Sequence, residues 1–140
     1  MKYLGLDLGT RTLGLSISDQ MGIIARTYET IRFEENNYIS TIPRLKEIIK
    51  EEKIDILVLG LPKNMNNTKG YRCDETLEYK QLLEENIPNK IELQDERLST
   101  KEAHNIMIEG NMSRKKRKQK VDSLAANIIL QTYLDKQKGN

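Results

Sequence analysis

Tryptophan is absent from the 140 residues, phenylalanine occurs once, and aromatic residues make up 5% of the chain. A core built from this composition has to be aliphatic. Cysteine is nearly absent too. Cys73 stands alone, which excludes an intrachain disulfide and fits a reducing compartment. With His104 as the single histidine, a conventional zinc site is excluded as well. No apolar run approaches the ~20 residues that span a bilayer, so no membrane partner is expected. Met1 leads straight into a predicted strand with no signal-peptide pattern ahead of it, and the expectation is a soluble, cytoplasmic protein. The length predicts one domain over residues 1–140 with a single sizeable core.

What the chain does have is concentrated positive charge. Its net charge is +2, yet Arg114, Lys115, Lys116, Arg117, Lys118 and Lys120 place six cations in seven positions with no acid among them. The remaining residues are therefore net −4, and such a distribution favours a polyanionic partner. Six like charges near the start of a helix oppose its macrodipole, so stability does not explain them; the alternative is a solvated charged turn.

The apolar pattern predicts the element order β-β-β-α-β-α-β-α-α. Tyr3 to Leu8 reads as a strand buried on both faces, Leu13 to Ser18 as a second, and Ile23 to about Phe33 as a third, joined by short turns into an antiparallel meander. Helical spacing follows over 38–53, with Pro43 in the first turn. Ile54 to Gly60 is a buried strand, Tyr71 to Glu85 a helix packing through Leu77, Leu82 and Leu83, and Lys90 to Gln94 a fifth strand. A capping box at Ser99 and Glu102 opens another helix to about Glu109, with His104 read as structural. The last helix covers 121–136, with a start as early as Ser113. The fold class is α/β: a five-stranded mixed sheet, three antiparallel strands then parallel ones, with helices on both faces.

Three acidic places fall at element boundaries. Asp7 interrupts an apolar strand, where an ionised carboxylate is costly unless paired or bound to a cation. It could instead form an Asx turn or partner Arg11. Asp95 and Glu96 follow the fifth strand, and alternation allows only one of them to share a face with Asp7. Asp122 shares the helical-wheel face of Ala125, Ala126, Ile129 and Tyr133, although an Asp in a first helical turn also suits the macrodipole. Convergent carboxylates without a Cys/His cluster favour Mg²⁺ or Mn²⁺ and suit two-metal phosphodiester hydrolysis. The basic run just before Asp122 would then contact the phosphate backbone.

The segments Gly5–Gly14 (Gly-Leu-Asp-Leu-Gly-Thr-Arg-Thr-Leu-Gly), Gly60–Met65 (Gly-Leu-Pro-Lys-Asn-Met), Asp95–Thr100 (Asp-Glu-Arg-Leu-Ser-Thr) and Ser113–Lys118, with Val121-Asp122 and Ala125-Ala126, resemble the YqgF (RuvX) family over essentially the whole chain. The resemblance implies an RNase H-like fold and a bacterial nuclease, first described as a Holliday junction resolvase and linked to maturation of the 5′ end of pre-16S ribosomal RNA. It implies Asp7, Glu96 and Asp122 as the acidic site, with Asp95 the lesser candidate for the second position, and Arg11 and Arg97 as cations for phosphate. One departure is Asn66-Asn67-Thr68, where the family commonly continues with Asp-Gly-Ser; Asn tolerates the same left-handed turn, but a charge is lost.

Three functions compete. The first is a metal-dependent endonuclease acting on pre-rRNA or a ribosomal particle. The second keeps the chemistry on branched DNA, cutting four-way Holliday junctions, which needs a homodimer where the first allows a monomer. The third is a non-catalytic nucleic-acid-binding module, disfavoured because a binder gains nothing from carboxylates beside phosphates. A phosphotransfer reading of Leu6–Thr10 ranks below these, since sugar kinases and actin-like ATPases hold ATP between two such domains.

Overall fold

The computed structural model describes residues 1–61, 71–95 and 114–137. Strand β1 (Tyr3–Leu8) is the centre of a five-stranded sheet ordered β3-β2-β1-β4-β5. β2 (Thr12–Ser18) pairs antiparallel with β1, and β3 (Ala25–Arg32) antiparallel with β2. β4 (Ile56–Leu61) lies parallel to β1 on its other side, and β5 (Lys90–Asp95) parallel to β4. A hairpin can join antiparallel neighbours through a tight turn, whereas parallel ones need a crossover. Helix α1 (Ile42–Glu52) supplies the crossover into β4, and helix α2 (Tyr71–Asn86) lies between β4 and β5. Helix α3 (Arg114–Gln137) follows β5 in order. The expected helix over 99–109 and the loop with Asn66-Asn67-Thr68 lie outside the described residues.

Alternation along β1 sorts the core into two layers. Leu4, Leu6 and Leu8 pack with Leu13, Leu15 and Ile17 of β2 and Leu57 and Leu59 of β4 against Leu45 and Ile48 of α1 and Tyr79 and Leu83 of α2. Tyr3 and Val58 pack on the opposite face against Ile129, Leu130 and Leu134 of α3. Each fully buried Leu or Ile contributes roughly 1.5–3 kcal/mol, so both layers are held mainly by aliphatic side chains.

Several boundaries differ from the sequence expectation for local reasons. Ile23 and Ile24 do not open β3, because their N–H groups donate to Asp19 Oδ1 at 2.7 and 3.0 Å. These donors, Ile24 first, hold the Asp19 carboxyl below its usual value. Gly22 closes the turn at φ +70°, where a side chain would also meet Tyr3 and the Met1 carbonyl. The helical segment after Asn37 opens as a 3-10 turn, Tyr38–Thr41, before α1 begins, with Pro43 in the first turn of α1 as expected. Thr41 donates to the Tyr38 carbonyl at 2.8 Å, so its 2.7 Å contact with the Tyr79 hydroxyl is one it accepts.

Leu77 does not pack as expected. It is 36% exposed; Leu82 and Leu83 pack as expected, joined on the inner face of α2 by Thr76 and Tyr79. Burial pushes the Tyr79 phenol up, so it stays neutral and donates to Thr41. On the other flank, Arg44 of α1 donates to both carboxylate oxygens of Glu29 on β3, at 2.9 and 2.8 Å. That pair holds the Glu29 carboxyl below its usual value and raises Arg44 further.

Candidate active site

Asp7 is half-buried on β1, and the strand register fixes its surroundings. Its partner on β2 is Gly14. Leu6 pairs with Leu59, so the next row sets Asp7 level with Gly60, which itself pairs with Gln94 of β5. The row Gly14–Asp7–Gly60–Gln94 thus carries a carboxylate with a glycine on either side, in a strand context where glycine admits another group close to the backbone.

The face on which Asp7 lies follows from Gly5, two residues earlier. A Cβ on Gly5 would overlap Ser16 Oγ and come within 2.8 Å of Leu130 Cβ and 3.1 Å of the Ala126 carbonyl. Gly5, and with it Asp7, therefore faces α3. Ser16 donates to the Ala126 carbonyl at 2.8 Å, a buried bond across 110 residues of chain. Gln131 of α3 accepts from the Ala25 N–H at 2.9 Å and donates to the Ile23 carbonyl at 3.0 Å. Near the start of β1, the Tyr3 and Tyr133 rings lie 5.7 Å apart.

These contacts give α3 its direction. Residue 133 meets the start of β1, and 126 and 130 meet Gly5, so the helix runs antiparallel to β1. Asp7 lies about 7 Å beyond Gly5 along the strand, which corresponds to four or five helical residues. That brings the backbone of position 122 to within about one turn of the level of Asp7. The basic positions 114–120 continue beyond the end of β1.

The register also separates the two acids after β5. Val58 belongs to the α3 face and pairs with Glu92. Glu92 and Gln94 therefore share the face of Asp7, whereas Asp95 falls with Ile91 and Leu93 on the face packed by α1 and α2. Asp95 does not share a face with Asp7. Glu96 and Arg97 lie outside the described residues.

Arg11, in the β1–β2 turn at the same end of the sheet, is 73% exposed and lies 3.6 Å from Glu35. The turn itself is closed by Gly9 donating to the Thr12 carbonyl at 2.7 Å. Two features escaped the sequence reading. Gln94 is 5% exposed in the row of Asp7, and only the register with Gly60 reveals it. Asn127 Oδ1 is buried without a hydrogen-bond partner, an orphan acceptor on α3 that no periodicity could have flagged. Among the described residues, no three of His, Cys, Asp and Glu come together, and no helix is long and apolar enough to cross a membrane.

Comparison with known proteins agrees with this architecture. The family model for RuvX, described as Holliday junction resolvase, matches residues 1–136. A protein of Leuconostoc mesenteroides is 50% identical over 136 residues, covering 96% of this chain and 95% of the relative. One of Listeria monocytogenes is 46% identical over 135 residues, covering 96% and 98%. Both carry the name "Putative pre-16S rRNA nuclease". Among solved structures, Thermus thermophilus RuvC in complex with a Holliday junction substrate superposes with a TM-score of 0.59 at 15% identity, over 99% of this chain and 96% of that one. The Fowlpox virus resolvase bound to Holliday junction DNA gives 0.55 at 11%, over 98% and 99%. At those identities the likeness establishes the fold, which is RNase H-like. A family match across nearly the whole length, with relatives close to half identical, leaves one conclusion: this chain belongs to the RuvX family.

Proposed function

We propose that the chain is a metal-dependent endonuclease that hydrolyses phosphodiester bonds in precursor ribosomal RNA, at the 5′ end of 16S, with Asp7, Glu96 and Asp122 as its acidic residues. The observation that carries this reading is the antiparallel run of α3 over β1, which sets the backbone of position 122 near the level of Asp7. The printed names of the relatives support the substrate. The exclusion of Asp95 from the face of Asp7 supports Glu96 as the second carboxylate.

The donor set fits a hard divalent cation, because it consists of carboxylate oxygens. Asp7, Glu96 and Asp122 would hold Mg²⁺ or Mn²⁺, which when bound supplies activation of the attacking water and stabilisation of the leaving oxygen. Within the chain, β1 fixes Asp7 by pairing on both sides, and Gly14 and Gly60 leave the backbone beside it approachable. Arg11, Arg97 and the six cations of α3 would bind phosphates and orient the scissile strand.

Cleavage of Holliday junctions is the second reading, favoured by the family's description. Purified wild-type and Asp7→Asn protein, incubated with Mg²⁺ or Mn²⁺, separate the two. Metal-dependent cutting of an RNA spanning the mature 5′ end of 16S, abolished by Asp7→Asn, supports the processing nuclease. Symmetric nicking of a four-way DNA junction alone supports the resolvase. Binding of both without cutting of either overturns both readings in favour of a non-catalytic module.

A further inference from the structure

Buried polar side chains in this fold mostly tie elements together. Ser16 donates to the Ala126 carbonyl of α3, Ser18 accepts from the Tyr3 N–H of β1 at 2.8 Å, and Thr41 meets Tyr79 of α2. Gln94 is buried too, at 5% exposure, but its Nε2 donates at 3.2 Å to the carbonyl of its own neighbour Asp95. That bond links nothing the chain does not already link. Oε1 accepts from no described residue. It also keeps access to solvent, because Asn127 Oδ1 is the one buried side-chain atom among the described residues that is both sealed and unpartnered. A carboxamide with a free acceptor and a spare N–H is thus held, nearly enclosed, where the fold has no use for it.

Its position points to the group it holds. Gln94 lies near the end of β5 on the face of Asp7, with Gly60 of β4 between them in the row. Two strand spacings separate the backbones, about 9–10 Å, and Gly60 puts no side chain between the carboxylate and the carboxamide. Phosphate oxygens only accept hydrogen bonds and a cation takes only lone pairs, so neither uses both halves of an amide. The edge of a base would use both, but a side chain this enclosed leaves room for a single small group. A hydroxyl is small, and it both donates and accepts. RNA carries one on every ribose, the 2′-OH, and DNA carries none.

We propose that Gln94 hydrogen-bonds the ribose 2′-hydroxyl beside the phosphate held at Asp7, and so selects RNA over DNA. This deepens the nuclease reading and rests on it for the placing of a phosphate at Asp7. Gln94 is then a specificity-determining residue: it touches the sugar and not the bond that breaks. DNA in the same place would leave an enclosed amide facing C–H groups. A site built to bond a hydroxyl rejects the analogue that lacks it for that reason.

The test scans single 2′-deoxy substitutions, one per molecule, along an RNA spanning the mature 5′ end of 16S, using the full chain. Binding is measured without divalent cation, and cutting separately with Mg²⁺ or Mn²⁺. For wild type we expect one position, next to the phosphate that is cut, where loss of the hydroxyl weakens binding by about tenfold. Gln94→Met, of similar length but without the amide, should bind the unsubstituted RNA about tenfold more weakly and lose nothing further at that position. Its responses elsewhere in the scan should match wild type, and Gln94→Leu replaces it should the methionine variant not fold. A wild type that binds no RNA, or is indifferent to every single substitution, overturns the contact without any variant. A folded Gln94→Met chain that keeps the full loss at that position, or whose defect follows the base and not the sugar, overturns it as well. Cutting reports on the other reading. A chain that shows the coupled loss in binding and cuts no RNA removes the nuclease reading and keeps the hydroxyl contact. One that cuts RNA and ignores every 2′-deoxy substitution does the reverse.

Discussion

Asp7 and Gly5 sit two residues apart on one face of one strand, and they make opposite demands. Gly5 has to be small: its missing Cβ lets the Ala126 carbonyl and Leu130 come down onto β1. Gly5→Ala should therefore cost about 1–3 kcal/mol, through displacement of α3 or its neighbours. Thermal denaturation should show this as a Tm lowered by several degrees. Asp7, by contrast, contributes a carboxylate where packing alone would choose an apolar group. Asp7→Asn should leave the Tm of the metal-free protein unchanged or higher while lowering cleavage by about a thousandfold, the scale of several kcal/mol of lost transition-state stabilisation. Single-turnover cleavage of the 16S precursor RNA measures the second effect. A variant that loses stability and activity together would mark Asp7 as a packing residue instead.

At the scale of elements, the pairing of β3 with α1 through Glu29 and Arg44 is the clearest electrostatic tie. Glu29 has its folded value depressed below the ordinary 4.5. Its contribution is therefore present above that value and is lost as pH falls through the folded value, because the unfolded chain takes up the proton first. Both side chains are about a third exposed, so solvent limits the effect to no more than about 1 kcal/mol. Urea denaturation at pH 7 and pH 4 should show a smaller acid-induced loss in Glu29→Gln than in wild type. The elements themselves were legible to differing degrees. β1 begins at Tyr3 and ends at Leu8 as the apolar run predicts, and Pro43 marks the first turn of α1. On the inner face of α2, Leu82 and Leu83 were legible, whereas Leu77 was wrongly included and Thr76 and Tyr79 were not weighed; the 2.7 Å bond from Tyr79 to Thr41 is what makes a phenol acceptable at 0% exposure. The face of Asp95 was illegible in principle: alternation separates neighbours, but only the pairing of Val58 with Glu92 says which face is which.

At the scale of the whole molecule, the acids proposed for one site are distributed from near the start of the sequence to α3, and a shared cation would tie them together. Mg²⁺ or Mn²⁺ at a hundredfold excess over its Kd should raise stability by about 2.7 kcal/mol, and Asp7→Asn should lose that rise. Differential scanning calorimetry with and without metal reads both. The bond from Ser16 to the Ala126 carbonyl has a further consequence for biosynthesis. Translation delivers Asp7 more than a hundred residues before the helix that packs on its face of β1. The hairpin of β1 and β2 can form early, but its α3 face stays bare until the helix is made. A nascent or truncated chain stopping short of α3 would carry two acids of the proposed set, Asp7 and Glu96, and lack Asp122. Premature termination before α3 should then yield an inert fragment, and competence for cutting would arrive only once α3 has been made.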